Sequence, residues 1–241
     1  MVKKTALAAM FLAFVVIVAA ATISWAEKTK TANVVDNSLT DNQYGFVFEK
    51  NDNWKFQTAD ENPKKPEFFR FEIQKKNSQI PLERKYSPET WNPAYGAFFV
   101  DTTSLTLKQI KAMFTEKNAK YQPIKNIAKK TELIKQGLFV EEKDHAFGKL
   151  GMGCQLTFKE EYDVQIRDVK DDYDVITDYL IGDMYLTVCA DKIFGFLFVA
   201  ERAEYGVCRT EIEKMLETIA FRAAGDNSAD SSGDTTSVKT Q

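Results

Sequence analysis

The chain is poor in the residues on which most catalytic and metal sites depend. Its 241 residues include a single histidine, His145, and only three cysteines, without a Cys-x-x-Cys pair. Structural zinc sites usually draw on closely spaced cysteine or histidine pairs, so no metal site is expected. Three cysteines allow at most one intramolecular disulfide, which excludes a disulfide-built scaffold.

Nucleotide-binding signatures are missing as well. Gly148, Gly151 and Gly153 carry the G-x-G-x-x-G spacing in reverse order, and no Gly-Lys-Ser/Thr motif follows. A net charge of −3 is mildly acidic, which argues against a general nucleic-acid-binding protein. We therefore expect no organic cofactor and no nucleic-acid partner.

An acidic stretch, residues 163–178, is the one place where carboxylates crowd together. Calcium prefers such oxygen ligands, but the spacing does not fit the D-x-[DN]-x-[DN]-G loop pattern. An irregular, solvated loop is the predicted structure. Its aspartates include Asp168, Asp171, Asp172, Asp174 and Asp178.

The two ends of the chain differ in composition from the middle. Lys3 and Lys4 precede an apolar run and the Ser24-Trp25-Ala26 sequence, so residues 1–26 are predicted to be a signal peptide cleaved after Ala26. An uncleaved membrane anchor is the alternative. Residues 27–43 are expected to be a flexible linker, and the polar residues 223–241 a disordered tail. The expected location is secreted or periplasmic, without a membrane span if the leader is cleaved.

The middle of the chain is organised around two adjacent strands within residues 183–199. The second strand is apolar on both faces, with Phe194, Phe196 and Phe198 on one and Ile193, Leu197 and Val199 on the other. Such a strand needs cover on both faces, so the hairpin is predicted at the centre of a sheet. The amphipathic segment Thr210 to Ile219, which opens with a Thr210-x-x-Glu213 capping pattern, is the predicted cover.

Further strands and one clear helix surround this hairpin. The first two strands are expected to pair as a hairpin, and Arg70 and Glu72 to face solvent. A helix is predicted around residues 107–114, capped by Thr103 or Ser104, whereas residues 127–136 fit either a helix or a strand. Alternation predicts strands at residues 44–48, 54–58, 67–75, 96–101, 137–143 and 149–162. Because consecutive strands are joined by short turns, a mostly antiparallel sheet is expected.

These features together resemble the PsbP-like superfamily, which includes an extrinsic photosystem II subunit and a Ran-binding nuclear-import factor. The matching motifs are the Tyr44-Gly-Phe…Trp54 opening, the strand-to-helix step at residues 96–114, the glycine-containing strand 151–158 and the closing Ile219-Ala-Phe221-Arg. The resemblance covers residues 44–222. It implies a single-domain α/β sandwich in which helices cover both faces of a mostly antiparallel sheet. It also implies non-enzymatic binding or assembly work, and it transfers no functional residue.

Charge asymmetry predicts one surface for a partner. Residues 108–135 hold eight lysines against two glutamates, whereas residues 159–178 are mostly acidic. A basic face of this kind steers an oppositely charged partner, here expected to be an envelope protein. The alternative is an ordinary solvated surface. The candidate contact residues are Lys117, Lys120, Lys129 and Lys130.

The cysteines raise two further hypotheses. Cys189 ends a central strand and Cys208 begins the segment packed on it, so this pair is the candidate disulfide, with Cys154 as the rival partner. A thiol-dependent hydrolase would use Cys154 as nucleophile and His145 as base. The opposing interpretation is a turn histidine and a small buried cysteine.

The sequence therefore favours an exported, non-enzymatic binding or assembly-support protein. The hydrolase is one alternative. A carrier of a small apolar ligand is the other, because an aromatic-rich sheet can enclose an apolar pocket.

Overall fold

Two antiparallel sheets dominate the structure, a computed structural model that describes residues 30–61, 68–88, 91–115, 138–167 and 173–221. Seven strands form the larger sheet in the order β4-β5-β6-β10-β9-β8-β7, and four form the smaller in the order β1-β2-β3-β11. The strands are β1 (Ala32–Val35), β2 (Ser38–Asp41), β3 (Phe46–Glu49), β4 (Trp54–Thr58), β5 (Phe69–Lys75), β6 (Tyr95–Thr102), β7 (Leu138–Ala146), β8 (Met152–Arg167), β9 (Tyr173–Cys189), β10 (Lys192–Glu201) and β11 (Ala220–Phe221). The helices described are α1 (Leu107–Thr115) and α2 (Arg202–Glu217), with short 3₁₀ turns at Ala59–Glu61, Leu82–Arg84 and Gly148–Leu150.

The predicted central hairpin is confirmed. Strands β9 and β10 pair in register from Cys189 opposite Lys192, and β10 is the fourth of the seven strands. The two residues between them, Ala190 and Asp191, both have positive φ, at 49° and 56°. A two-residue turn with positive φ at both positions matches the twist of the strands that it joins.

Each face of the larger sheet carries its own apolar core. The first core holds Phe194, Phe196 and Phe198 of β10, and the second holds Ile193, Leu197 and Val199, as the sequence predicted. The first core is packed with aromatic rings, such as Phe71 stacked on Phe98 at 5.0 Å between centroids. Stacked and edge-to-face pairs add roughly 0.5–1.5 kcal/mol each beyond their buried area.

The cover of these cores differs from the predicted sandwich with helices on both faces. The smaller sheet shares the cover of the first core with α2, through residues such as Leu39 and Phe48 beside Ile212 and Leu216. On the second face, the described part of α1 contributes the buried Ile110. The described residues thus form a mostly antiparallel β domain with few helices.

The expected linker at residues 27–43 is wrong over most of its length, because β1 and β2 lie within it. Leu39 has no exposed surface in the first core, and Asp41 is 1% exposed. Asp41 accepts hydrogen bonds from the backbone N–H of Tyr44 and Gln43 and forms an ion pair with Arg70 at 2.7 Å. The two strands are short and polar, and their buried residues are few and widely spaced. Apolar periodicity therefore does not distinguish them from a flexible linker.

The predicted N-terminal hairpin is also wrong. Strand β3 pairs with β2 and β11 in the smaller sheet, whereas β4 pairs with β5 in the larger. Arg70 of β5 was expected to face solvent but is 2% exposed, because the Asp41 carboxylate compensates its charge inside the protein.

Helix α1 spans Leu107–Thr115, which agrees with the predicted residues 107–114, but its cap is neither Thr103 nor Ser104. Helix α1 is capped by Thr106, whose hydroxyl accepts the N–H of Gln109 while the Gln109 side chain accepts the N–H of Thr106, a reciprocal capping box. Helix α2 begins at Arg202, about two turns before the expected Thr210. The Thr210 hydroxyl instead donates to the Gly206 carbonyl at 3.1 Å inside the helix.

The acidic stretch is largely strand and not an irregular loop. Strand β8 continues to Arg167 and pairs with β9 from Tyr173 onwards, so the two form a long hairpin. Cross-strand hydrogen bonds between hydroxyl and carboxylate groups support this pairing, as where Thr177 donates to Asp163 at 2.8 Å.

Several predictions fall on parts of the chain that are not described. The signal peptide at 1–26, residues 127–136 and the tail at 223–241 lie outside the described residues. Neither described helix is long and apolar enough to cross a membrane. From Ala32 onwards the described residues belong to one compact unit.

Candidate ligand-binding groove

The structure separates the two residues of the predicted hydrolase dyad. His145 packs edge-on against Tyr185 at 4.9 Å between ring centroids, and Tyr185 belongs to the first core. Cys154 belongs to the second core and is 1% exposed. The thiol and the imidazole therefore lie on opposite faces of the sheet. Burial raises the pKa of Cys154 to about 12, which further disfavours the reactive thiolate.

The predicted Cys189–Cys208 disulfide is wrong, because all three cysteines, each in the described part of the chain, are free. Cys189 lies opposite Lys192 at the turn, whereas Tyr205, one helical turn before Cys208, stacks on Phe198. Six residues of strand separate Lys192 from Phe198, roughly 20 Å at 3.3 Å per residue. Cys208 lies one helical turn beyond Tyr205, which shortens this distance by only about 5 Å. The Cα atoms of Cys189 and Cys208 are therefore farther apart than the ~7 Å limit for a disulfide.

The predicted lysine surface cannot be placed. Lys117, Lys120, Lys129 and Lys130 lie outside the described residues. The acidic stretch is only partly described, and nowhere in its described part, or in the rest of the described chain, do three or more His, Cys, Asp or Glu side chains form a group that could hold a metal ion.

A groove of about 760 Å³ lies beside the start of α2, and we call it the Glu204 groove. Its size falls in the range of ligand sites in proteins. The loop after β5 forms one wall and the first two turns of α2 the other, with Asn53 and Lys75 at one end. The loop wall consists of Asn77, Gln79, Ile80, Pro81 and Leu82, and the helix wall of Ala203, Glu204, Val207 and Cys208.

Both walls present apolar side chains to solvent. Leu82 is 84% exposed, Val207 67% and Ile80 40%. Each is a large aliphatic side chain, and covering it with a partner contributes about 25 cal/mol of favourable free energy per Å² of apolar surface buried. A cluster of such residues around a concave surface marks an interaction site.

Glu204 supplies an acidic group to the floor of the groove. It lies in the first turn of α2, where the helix dipole favours a negative charge, and it is only 9% exposed. Its Oε1 accepts the backbone N–H of Gln79 at 2.8 Å, which ties the loop wall to the helix wall. Its Oε2 is buried and has no hydrogen-bond partner among the described residues.

A fully paired cluster occupies the Lys75 end of the groove. Glu211 accepts hydrogen bonds from Lys75, from Trp54 Nε1 at 2.7 Å and from Asn53 at 3.0 Å. Burial raises the pKa of Glu211, but these three hydrogen bonds outweigh it and leave the pKa below its ordinary value. The Lys75 charge is thus already compensated within the protein.

Arg84 fixes the far end of the loop wall. Its side chain has no exposed surface and donates to Asp178 at 2.7 Å and to the Tyr162 hydroxyl at 2.9 Å. Glu201 lies 3.5 Å away, and the Tyr162 hydroxyl donates to it in turn. Burial raises the pKa of Tyr162, so its hydroxyl remains protonated as a donor. The Asp178 of the acidic stretch is therefore half of a buried ion pair.

Sequence reasoning did not predict this groove. Residues 78–95 contain Pro81, Pro88 and Pro93 and were interpreted as an ordinary loop. The Thr210-x-x-Glu213 capping pattern predicts a helix start beyond the groove, whereas α2 begins at Arg202. The usable observation was the pair of aliphatic residues Ile80 and Leu82 within an otherwise polar loop.

Solved structures to which this chain is similar include cyanobacterial PsbP from Synechocystis, at a TM-score of 0.38 and 10% identity over 80% of this chain and 98% of that one. LpqN of Mycobacterium tuberculosis, a protein involved in cell envelope biogenesis, is similar at 0.37 and 8% identity over 73% and 83% of the two chains. A protein from Bacteroides thetaiotaomicron matches at 0.33 and 11% identity over 76% of this chain, which spans only 47% of that one. No protein-family model matches the sequence, and no curated protein matches it.

The solved structures that resemble this chain thus include a PsbP protein, the family that the sequence motifs resemble. At such TM-scores and identities the likeness carries no argument about function. The function has to be argued from the Glu204 groove.

Proposed function

We propose that this chain is an exported, non-enzymatic binding protein that holds an extended segment of a partner polypeptide in the Glu204 groove. The observation that carries the proposal is the combination of exposed aliphatic walls with a buried carboxylate oxygen that has no partner among the described residues. Export rests on the leader-like residues 1–26.

A polypeptide fits the groove better than a small molecule does. Pockets for small ligands bury most of the ligand surface. Here Leu82 and Val207 stand largely exposed at the edge, so an occupant must extend beyond the floor to cover them. An extended peptide does so, because its alternate side chains can contact both walls.

The two alternatives find less support. A hydrolase would need the thiol of Cys154 within hydrogen-bond reach of His145, but the two residues lie on opposite faces of the sheet. For the apolar carrier, the space between the two sheets is filled by rings such as Phe46, Phe48 and Phe98. The lysine-rich residues 117–130 remain a predicted second contact with an envelope protein.

The proposal is tested by selecting peptides and then blocking the groove. A phage-displayed library of random dodecapeptides is panned on the full chain, and the recovered peptides are titrated by fluorescence anisotropy. The variant V207W places a large ring in the helix wall and is expected to weaken binding at least tenfold. The matched control is V175W, since Val175 of β9 is exposed to a similar degree, 62%, and does not line the groove.

Thermal unfolding of both variants shows whether the fold is intact. Peptides that bind V207W as tightly as the unmodified chain would place the site elsewhere. A panning that enriches no peptide above background would refute the proposed function.

A further inference from the structure

The floor of the Glu204 groove determines what its occupant must carry, and this inference rests on the proposed binding function. A buried polar atom without a hydrogen bond costs roughly 1–3 kcal/mol, and a charged one more. Glu204 Oε2 is such an atom within the part of the chain that the structure describes. The groove therefore offers a site at which a donor from outside gains a strong hydrogen bond.

The donor that fits best is a cation. Glu204 and Lys75 line the groove, and Glu211 lies beside it. The positive charge of Lys75 is already paired with the carboxylate of Glu211. The site thus keeps one negative charge at Glu204. Hydrogen bonds between ionised partners are about twice as strong as those between neutral ones.

The walls fit the rest of a basic side chain. Lysine and arginine carry apolar stems that lie along apolar surface while the charged head reaches a polar partner. Ile80 and Val207 supply that surface on the two walls. The backbone N–H of Gln79 already donates to Oε1, so Oε2 is the oxygen of this lining residue that lacks a donor among the described residues.

We propose that the polypeptide segment bound in the groove inserts a lysine or arginine side chain, whose charged head donates to Glu204 Oε2. Its stem and the apolar residues on either side of it contact Ile80, Leu82 and Val207. The groove is in this sense a recognition site for a basic residue within an apolar sequence.

The test uses synthetic peptides of one recovered sequence in which the central residue is lysine, arginine, norleucine or glutamate. The unmodified chain is expected to bind the lysine and arginine peptides about tenfold or more tightly than the norleucine peptide. The variant E204Q keeps an oxygen to accept the Gln79 N–H but loses the charge. It is expected to abolish that preference, so that its affinities for the lysine, arginine and norleucine peptides become equal.

The matched control is E217Q, which makes the same change at an exposed glutamate at the end of α2. It is expected to leave the preference intact. Equal binding of the lysine and norleucine peptides by the unmodified chain would overturn the inference and leave the proposed function standing. Binding of no peptide would overturn both.

A small amine is the competing occupant. Putrescine carries the same ammonium group without a peptide backbone or flanking apolar residues. Displacement of the lysine peptide by an equimolar amount of putrescine would assign the groove to a small amine. A much larger excess is expected to be necessary.

Discussion

Arg84 is the buried charge whose removal should cost the fold most. Its side chain has no exposed surface and lies between two carboxylates, Asp178 and Glu201, of which Glu201 is also fully buried. The rings of Trp91 and Tyr162 lie 5.4 Å and 5.6 Å from its guanidinium carbon. Replacing Arg84 with methionine keeps much of the apolar stem and removes the charge and all of its hydrogen bonds.

The expected loss follows from what remains behind. In R84M the Glu201 carboxylate keeps its bonds to Tyr162 and Asn92 but loses its counter-charge. Breaking a buried ion pair by removing one partner costs about 3–5 kcal/mol. At about 2–4 °C per kcal/mol for a domain of this size, the melting temperature should fall by about 6–20 °C.

Urea unfolding with linear extrapolation measures this loss directly. The matched control is R202M, since Arg202 also pairs with Asp178, at 3.6 Å, but its side chain is 59% exposed. Exposed pairs contribute about 0–1 kcal/mol, so R202M should be nearly neutral. The double variant R84M/E201Q should recover part of the loss because it removes the stranded charge. A loss in R84M no larger than that in R202M would refute the reasoning.

Three further predictions concern other parts of the molecule. The pKa of Glu211 is lowered by its hydrogen bonds, so its stabilising contribution is complete above about pH 4.5 and is lost as the pH falls through the lower folded pKa. In E211Q the melting temperature should therefore change less between pH 5 and 3 than it does in the unmodified chain. Burial and a raised pKa should make Cys154 react with a thiol reagent only on unfolding, whereas the half-buried Cys189 should react first. Rapid labelling of Cys154 at neutral pH would contradict its burial in the second core. The variant G206A should stabilise the helix by about 0.5–1 kcal/mol in urea unfolding, because nothing lies within 4 Å of the added methyl group. By contrast G153A should destabilise by about 1–3 kcal/mol, since its methyl group would lie 2.1 Å from the Leu186 carbonyl oxygen; equal effects would contradict both assignments.

The larger sheet could be predicted where the apolar pattern is dense. In β10 three phenylalanines lie on one face and Ile193, Leu197 and Val199 on the other, so its two-sided burial followed directly from alternation. The smaller sheet could not be predicted in the same way. Its strands are four residues or shorter, and β1 buries one residue, Ala32, out of four, which gives periodicity nothing to detect.

The Glu204 groove escaped prediction for a different reason. Its residues come from a proline-rich loop and a helix start that are far apart in the sequence, and a long-range ion pair and a long-range hydrogen bond decide their placement. Arg84 and Asp178 are 94 positions apart, and Gln79 and Glu204 are 125 apart. No local pattern carries information about such pairs, and a buried arginine looks like any surface arginine until its partner is known.

Glu201 connects the two walls of the groove. It is the last residue of β10 and the N-cap of α2, so its backbone fixes where the helix wall begins. Its side chain lies 3.5 Å from Arg84 and accepts the Asn92 amide at 2.9 Å, so it also holds the part of the loop that follows the other wall. Because one carboxylate sets both positions, E201Q should change the affinity of the groove for peptides even though Glu201 does not line it. A change in stability without a change in affinity would show that the loop wall is positioned by Gln79 and Glu204 alone.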